Sequence, residues 1–292
     1  MSRNAVTALA FASMSAAATA APQQPTFRAV VDSVAVDVSV YDGRRPVDGL
    51  TAADFEVLDN GVRQTVIDAS FETVPIDVTL LLDVSGSVEG RFLQTLVRAA
   101  SDVGRRLRPA DRATLVTFND RVRELVRDAP ADRLIAATAG IRASGNTSLF
   151  DALAYALISE RREGRRQMMI VLSDGRDTVS VLDRRVVMDA ARRSDIALFF
   201  VALALPDMPA GLRTPGFLGQ LATLTGGAVQ ELSANADLSA SFLRAFDDFR
   251  ASYVVRYTAT GVTRGGWHET TVRVKRPAQA TVRARKGYFG GS

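Results

Sequence analysis

The chain has 292 residues, 47% of them hydrophobic and 23% charged, with no cysteine and one histidine. That is enough apolar content for one large domain or two ordinary ones, and it excludes a disulfide framework, a thiol nucleophile, Cys-ligated zinc and any multi-histidine metal site. The formal charge of +4, from 36 basic and 32 acidic residues, is too small to argue for a nucleic-acid partner.

Met1 to Ala20 carries a single charge, Arg3, followed by a mildly apolar stretch and then Ala18-Thr19-Ala20. This is the three-part layout of a secretory signal peptide, so residues 1–20 are expected to be removed on export to the periplasm or the medium. No later run approaches the roughly 18 apolar residues a membrane-spanning helix needs, so no transmembrane segment is expected in the mature chain.

Residues 26–74 read as β structure. Val34, Val36, Val38 and Val40 alternate with Ala35, Asp37 and Ser39, the pattern of a half-buried strand. Phe55-Glu56-Val57-Leu58 and Val62 to Val66 flank Asn60-Gly61, which favours a tight hairpin because both residues tolerate positive φ.

From 75 to 250 the pattern changes to strands alternating with helices. Strands are expected at Ile76–Leu82, Ala113–Phe118, Met168–Leu172, Ile196–Ala204 and Ala228–Leu232. Helices are expected around Phe92–Ala100 and at Leu149–Ile158, Arg184–Arg193, Phe217–Leu224 and Leu238–Phe249. Strands apolar on both faces, separated by helices, imply an α/β fold: a doubly wound, mostly parallel sheet with helices on both faces. Residues 251–290 return to strands, at Tyr253–Tyr257, Glu269–Val274 and Thr281–Ala284, and are expected to pack with 26–74 as one small β module.

The chemistry gathers at strand ends. The strand Ile76–Leu82 runs into Asp83-Val84-Ser85-Gly86-Ser87, and in an open α/β sheet ligands bind at carboxyl ends of strands where strand order reverses. A carboxylate and two hydroxyls at i, i+2 and i+4 are hard oxygen donors, suited to Mg²⁺, Mn²⁺ or Ca²⁺. Met168–Leu172 ends in Ser173-Asp174-Gly175, and the loop Gly145-Asn146-Thr147 presents Thr147 just before a helix. Taken singly, Ser85, Ser87 and Thr147 could merely cap helices, and Asp174-Gly175 could merely turn the chain. Together, at three strand or helix ends, they point to one site.

In these residues the segment from Ile76 to about Arg250 resembles a von Willebrand factor type A domain with its metal-ion-dependent adhesion site. Asp83, Ser85 and Ser87 match the Asp-x-Ser-x-Ser motif, Thr147 the lone threonine and Asp174 the second aspartate. Leu221 to Gly227 is similar to a late structural segment of such domains. Val47 to Thr51 with Asp54-Phe55, and the ending Arg283 to Phe289, resemble an exported bacterial subgroup. The resemblance implies that Asp83, Ser85, Ser87, Thr147 and Asp174 hold a divalent ion, with Asp151, Asp177, Gly86 and Gly145 around them. It also implies a partner protein whose Asp or Glu completes the coordination.

Two other readings compete. The same oxygen-lined site could serve an Mg²⁺-dependent hydrolase or phosphotransferase. Such chemistry usually wants a lysine near the phosphoryl group, yet the only lysines are Lys275 and Lys286, in the C-terminal segment. His268, the sole candidate base for a serine hydrolase, is expected to be an exposed strand residue. The basic strip Arg273, Lys275, Arg276, Arg283, Arg285 and Lys286 could track phosphates, but the outward face of an edge strand explains it more simply.

Overall fold

In the computed structural model the described residues are 33–160, 162–173, 175–203, 215–232 and 237–291. The expected signal peptide and Asp174 lie outside them. The N-terminal flank supplies β1 (Ser33–Asp42), β2 (Arg45–Pro46), β3 (Phe55–Asp59), β4 (Val62–Gln64) and β5 (Val66–Phe71). The central segment begins with β6 (Ile76–Asp83), α1 (Arg91–Arg106), β7 (Arg112–Phe118), β8 (Val122–Ala129), α2 (Ala131–Ala137) and α3 (Leu149–Ile158). It continues with β9 (Arg166–Ser173), α4 (Arg184–Arg193), β10 (Ala197–Leu203), α5 (Pro215–Thr225), β11 (Ala228–Leu232) and α6 (Leu238–Arg250). The C-terminal flank adds β12 (Tyr253–Thr258), β13 (Gly266–Val274), β14 (Thr281–Ala284) and β15 (Gly287–Gly290).

The central strands form one sheet in the order β11-β10-β9-β6-β7-β8. All are parallel except β8, which runs antiparallel to β7 along the edge. Strand order reverses at β6: the chain leaves it towards β7 on one side and resumes at β9 on the other. Alternate residues of β6 explain why both faces are covered. Val78, Leu80 and Leu82 pack with Leu96 and Val103 of α1 and Phe242 and Phe246 of α6. Leu81 packs on the opposite face with Leu153 of α3, Val187 of α4 and Leu221 of α5. Each such side chain, fully withdrawn from water, contributes about 1.5–3 kcal/mol relative to exposure, so the strand that carries Asp83 is clamped from both sides.

Two elements of this segment go beyond the sequence expectation. β8 carries Arg123, Glu124, Arg127 and Asp128 along a partly exposed edge, where charge discourages edge-to-edge pairing. The short α2 then leads into the long connection to α3.

Strands from both flanks pair with one another, in two sheets. One has the order β14-β1-β12-β5, with β2 on β1; the other has the order β15-β13-β3-β4. A shared core joins Val36, Val38 and Val40 of β1, Val57 of β3, and Tyr253, Val255 and Tyr257 of β12. The hairpin between β3 and β4 pairs Asp59 with Val62, leaving Asn60 and Gly61 as a two-residue loop with φ of 48° and 80°. Those values suit a type I′ turn.

Two sequence expectations fail here. His268 is 1% exposed rather than on the surface, because β15 pairs alongside β13 and brings Tyr288 opposite it. Arg285 does not belong to an outward basic face. It is 8% exposed, and its guanidinium donates to Ser194 O (2.6 Å) and Asp195 (3.2 Å) beyond the end of α4. Burial pulls its pKa below the ordinary guanidinium range, against the opposing effect of Asp195 and Asp37. Arg166 opens β9 and donates to Asp37 (2.6 Å) and Phe249 O (2.6 Å).

The stretch Leu221–Gly227 has a specific packing role. A Cβ at Gly227 would lie 1.7 Å from Leu198 O, and one at Gly226 would lie 2.6 Å from the Arg285 amide. Lys286 N–H donates to Leu224 O at 2.9 Å, so the C-terminal flank docks on the central segment at this point.

Candidate functional site

Asp83 ends β6 where strand order reverses, and it is fully buried. Its Oδ1 accepts the Ser85 amide at 2.9 Å, and its Oδ2 accepts the Ser173 hydroxyl at 2.8 Å from the end of β9. Ser173 Oγ also accepts the Gly175 amide at 3.1 Å, which fixes the backbone on either side of position 174. Ser85 occupies the N-cap position of the 3-10 turn Gly86–Val88, yet its side chain makes no capping hydrogen bond. Its Oγ lies instead 3.0 Å from Ser87 Oγ. Ser85 is buried and Ser87 exposed, so the pair leads from the core to the surface.

The loop bearing Thr147 is brought alongside by Gly86 N–H, which donates to Gly145 O at 2.9 Å. Gly145 has φ +77°, and a Cβ there would lie 1.8 Å from Asp120 Oδ2, so a side chain is strained at this position and must push the Asp120 carboxylate aside. Thr147 is 4% exposed. Its amide donates to Thr178 Oγ1 (3.0 Å), and its carbonyl accepts from the amides of Thr178 (2.9 Å) and Val179 (3.2 Å). Ser148, not Thr147, stands at the N-cap of α3. The bland capping explanation therefore fits neither Ser85 nor Thr147.

Asp151 and Asp177 act as loop staples. Asp177 Oδ1 accepts from Phe150 N–H (3.2 Å) and Ser180 Oγ (2.5 Å), and Asp151 accepts from the amides of Val181 (3.1 Å) and Leu182 (2.8 Å). Both lie at the first turn of α3, where negative charge is favoured by the helix dipole.

Two residues were missed by sequence reasoning. Asn119, just past β7, accepts the amide (3.0 Å) and hydroxyl (2.6 Å) of Ser148 on its main-chain carbonyl, while its side-chain Nδ2 donates to Ser144 O (2.9 Å). Asp120 accepts Asn146 Nδ2 (2.8 Å) and the Asn146 amide (3.1 Å), and these bonds hold its carboxyl below the usual carboxylate range. The available signal was an Asn-Asp pair directly after a buried strand.

Among the described residues no three His, Cys, Asp or Glu side chains converge as a metal cluster. The described part of the donor set is one buried carboxylate and three hydroxyls, all hard oxygens of the kind Mg²⁺, Mn²⁺ or Ca²⁺ prefers. Neighbouring ligands around an octahedral Mg²⁺, at about 2.1 Å from the ion, stand about 3 Å apart. Ser85 Oγ and Ser87 Oγ have that separation. The residues fit the group.

Comparison with known proteins agrees with this architecture. Human inter-alpha-trypsin inhibitor heavy chain H4 is 28% identical over 182 residues, which cover 56% of this chain. The aligned part is 19% of that protein, so this chain spans about a fifth of the length of the curated relative it matches. Among solved structures, proximal thread matrix protein 1 from the mussel byssus, with a zinc-occupied MIDAS motif, overlays with a TM-score of 0.53 at 16% identity. The overlay covers 66% of this chain and 50% of that one, and at this identity it bears on the fold alone. BatB from Bacteroides thetaiotaomicron overlays at 15% identity and TM-score 0.49, over 60% of this chain and 98% of that one. The model of the von Willebrand factor type A domain matches residues 77–226, just over half of the chain, from β6 through α5. The chain belongs to the von Willebrand factor type A domain family.

Proposed function

We propose that this chain is an exported, metal-dependent protein-binding module. Asp83, Ser85, Ser87, Thr147 and Asp174 are its ligands for a divalent cation, Mg²⁺ or alternatively Mn²⁺ or Ca²⁺. The observation that carries the proposal is the Ser85 hydroxyl, which makes no capping hydrogen bond and lies 3.0 Å from the Ser87 hydroxyl, beside the buried Asp83 at the strand-order reversal.

Domains of this family mediate protein interactions. When bound, the cation supplies a Lewis-acidic position that two carboxylates and neutral hydroxyls leave incompletely satisfied. A partner's Asp or Glu fills it with a charge-assisted contact that a neutral side chain cannot make. The chain's own residues hold that position still. Asp83 is fixed by Ser85 N–H and Ser173 Oγ, and Thr147 by Thr178 and Val179. Asp151 and Asp177 tie the 177–182 loop over the start of α3. Export rests on the layout of residues 1–20 alone; among the described residues no helix is long and apolar enough to cross a membrane.

The test is capture of envelope proteins on the immobilised chain, in Mg²⁺ and in EDTA. Partner retention is expected in Mg²⁺ only, and Asp83→Ala is expected to lose it while keeping its circular dichroism. Undiminished retention after either change would sink the proposal.

A further inference from the structure

Beside the candidate metal site, on the α1 and α2 face of the central sheet, lies a cavity of about 480 Å³. Val84, Leu125 and Ile141 line it together with polar Thr117 and Asn119, and two arginines, Arg123 and Arg142, stand at it. Leu125 is 42% exposed. Both arginines are exposed, and neither forms a salt bridge among the described residues, whereas many other arginines of this chain are paired. Three apolar side chains beside two guanidinium groups outside any salt bridge are complementary to an aliphatic side chain next to a carboxylate.

The cavity is continuous with the site through two short pieces of chain. Val84, which lines it, sits between Asp83 and Ser85, so successive residues of one strand end face the cavity and the metal donors in turn. Ser144, also on its wall, donates its amide to Val84 O at 2.9 Å and lies three residues before Thr147. Three residues span at most about 11 Å, which is two to four residues of an extended peptide.

We infer that the Val84–Leu125–Ile141 groove with Arg123 and Arg142 is a second recognition subsite for the same partner. It would receive an aliphatic residue and an Asp or Glu lying within four residues of the carboxylate that reaches the metal. The inference rests on the metal-dependent reading above and adds to it the sequence class of the ligand: an extended acidic segment carrying two carboxylates and one aliphatic side chain.

The test uses the full chain and an array of synthetic decapeptides with a fixed central Asp, in which Leu, Ser, Glu and Lys vary over four positions on either side. Binding is read in Mn²⁺ and in EDTA, with divalent-ion affinity measured separately by calorimetry. The tightest peptides are expected to carry Leu and Glu on the same side of the central Asp, and to bind only with Mn²⁺. In the double variant Arg123→Glu/Arg142→Glu these peptides should weaken at least tenfold, and peptides with Lys in place of Glu should gain, while ion affinity stays unchanged. The lysine gain excludes simple misfolding. Metal-dependent binding that ignores both the flanking residues and the double variant overturns the groove and leaves the metal site standing. Failure of every peptide to bind a chain that still takes up Mn²⁺ also overturns the groove. Peptide binding that survives EDTA, or a chain that takes up no ion, overturns the metal-dependent reading instead.

Discussion

Asp59 and Asp83 are both fully buried, and their surroundings treat them in opposite ways. Around Asp59 three rings close: His268 Nδ1 at 2.8 Å, Tyr288 OH at 2.7 Å and Tyr257 OH at 3.0 Å. His268 and Tyr288 stack with ring centroids 4.7 Å apart. Burial pushes both phenols above their ordinary pKa, with the charge of Asp59 adding to the shift. These groups lie in the flanking sheets and bond to neighbours in the same core, except His268 Nε2, which is buried without a hydrogen-bond partner among the described residues. Asp83 is held instead by a backbone amide and a serine hydroxyl, and the hydroxyls that follow it in sequence lead outward to an exposed Ser87. The network around Asp59 ties strands of the flanking sheets together within one core, whereas Asp83, Ser85 and Ser87 set a line of oxygens from a buried carboxylate to the surface.

The sharpest way to break this comparison is Asp59→Ala. It removes the partner shared by the Tyr257 and Tyr288 hydroxyls and His268, a loss of about 3–5 kcal/mol, or on the order of 10 °C in thermal midpoint for a chain of this size. Divalent-ion affinity at room temperature should be unchanged. If it falls with stability, the two regions are not independent.

Gly145→Ala should act in the reverse direction. A Cβ at φ +77° costs about 1–2 kcal/mol and meets Asp120 Oδ2 at 1.8 Å, pushing aside the carboxylate that holds Asn146, the neighbour of Thr147. Calorimetric titration should show at least a tenfold weaker divalent ion, with only a few degrees lost in melting.

The smallest effect concerns acid. Asp54 accepts Arg276 Nε at 2.6 Å and the Thr51 amide at 2.8 Å. Arg276 first, and then Thr51, hold its carboxyl well below the usual carboxylate range. Its folded pKa lies below the unfolded value of about 4, so its stabilisation is complete above that pH and is lost as pH falls through the folded value. The difference in melting temperature between the parent chain and Asp54→Asn should therefore shrink from pH 7 towards pH 2. A constant difference would contradict the assignment.

Much of the central segment was legible because its signals are local. The bounds of α3, α4 and β11 follow from periodicity, and β6 reads as a strand because its apolar run is buried on both faces. Asp83, Ser85 and Ser87 are visible as a motif because their spacing lies within one turn of chain. What escaped depends on pairings distant in sequence. Gly287–Gly290 looks like a glycine-rich tail, yet it is a strand because glycine there permits close approach: a Cβ at Gly287 would lie 2.1 Å from His268 O, and one at Gly290 2.3 Å from Arg264 O. That strand is what buries His268. The bond between Asp120 and Asn146 spans 26 residues, and nothing in either loop alone announces it.

Calorimetric titration of Mg²⁺ and Mn²⁺ into the full chain, beside Asp83→Ala of matched circular dichroism, bears most directly on the central claim. One saturable ion per chain in the parent protein and none in the variant is the result the account predicts. Equal uptake by both, or no uptake by the parent chain at millimolar ion, would contradict it.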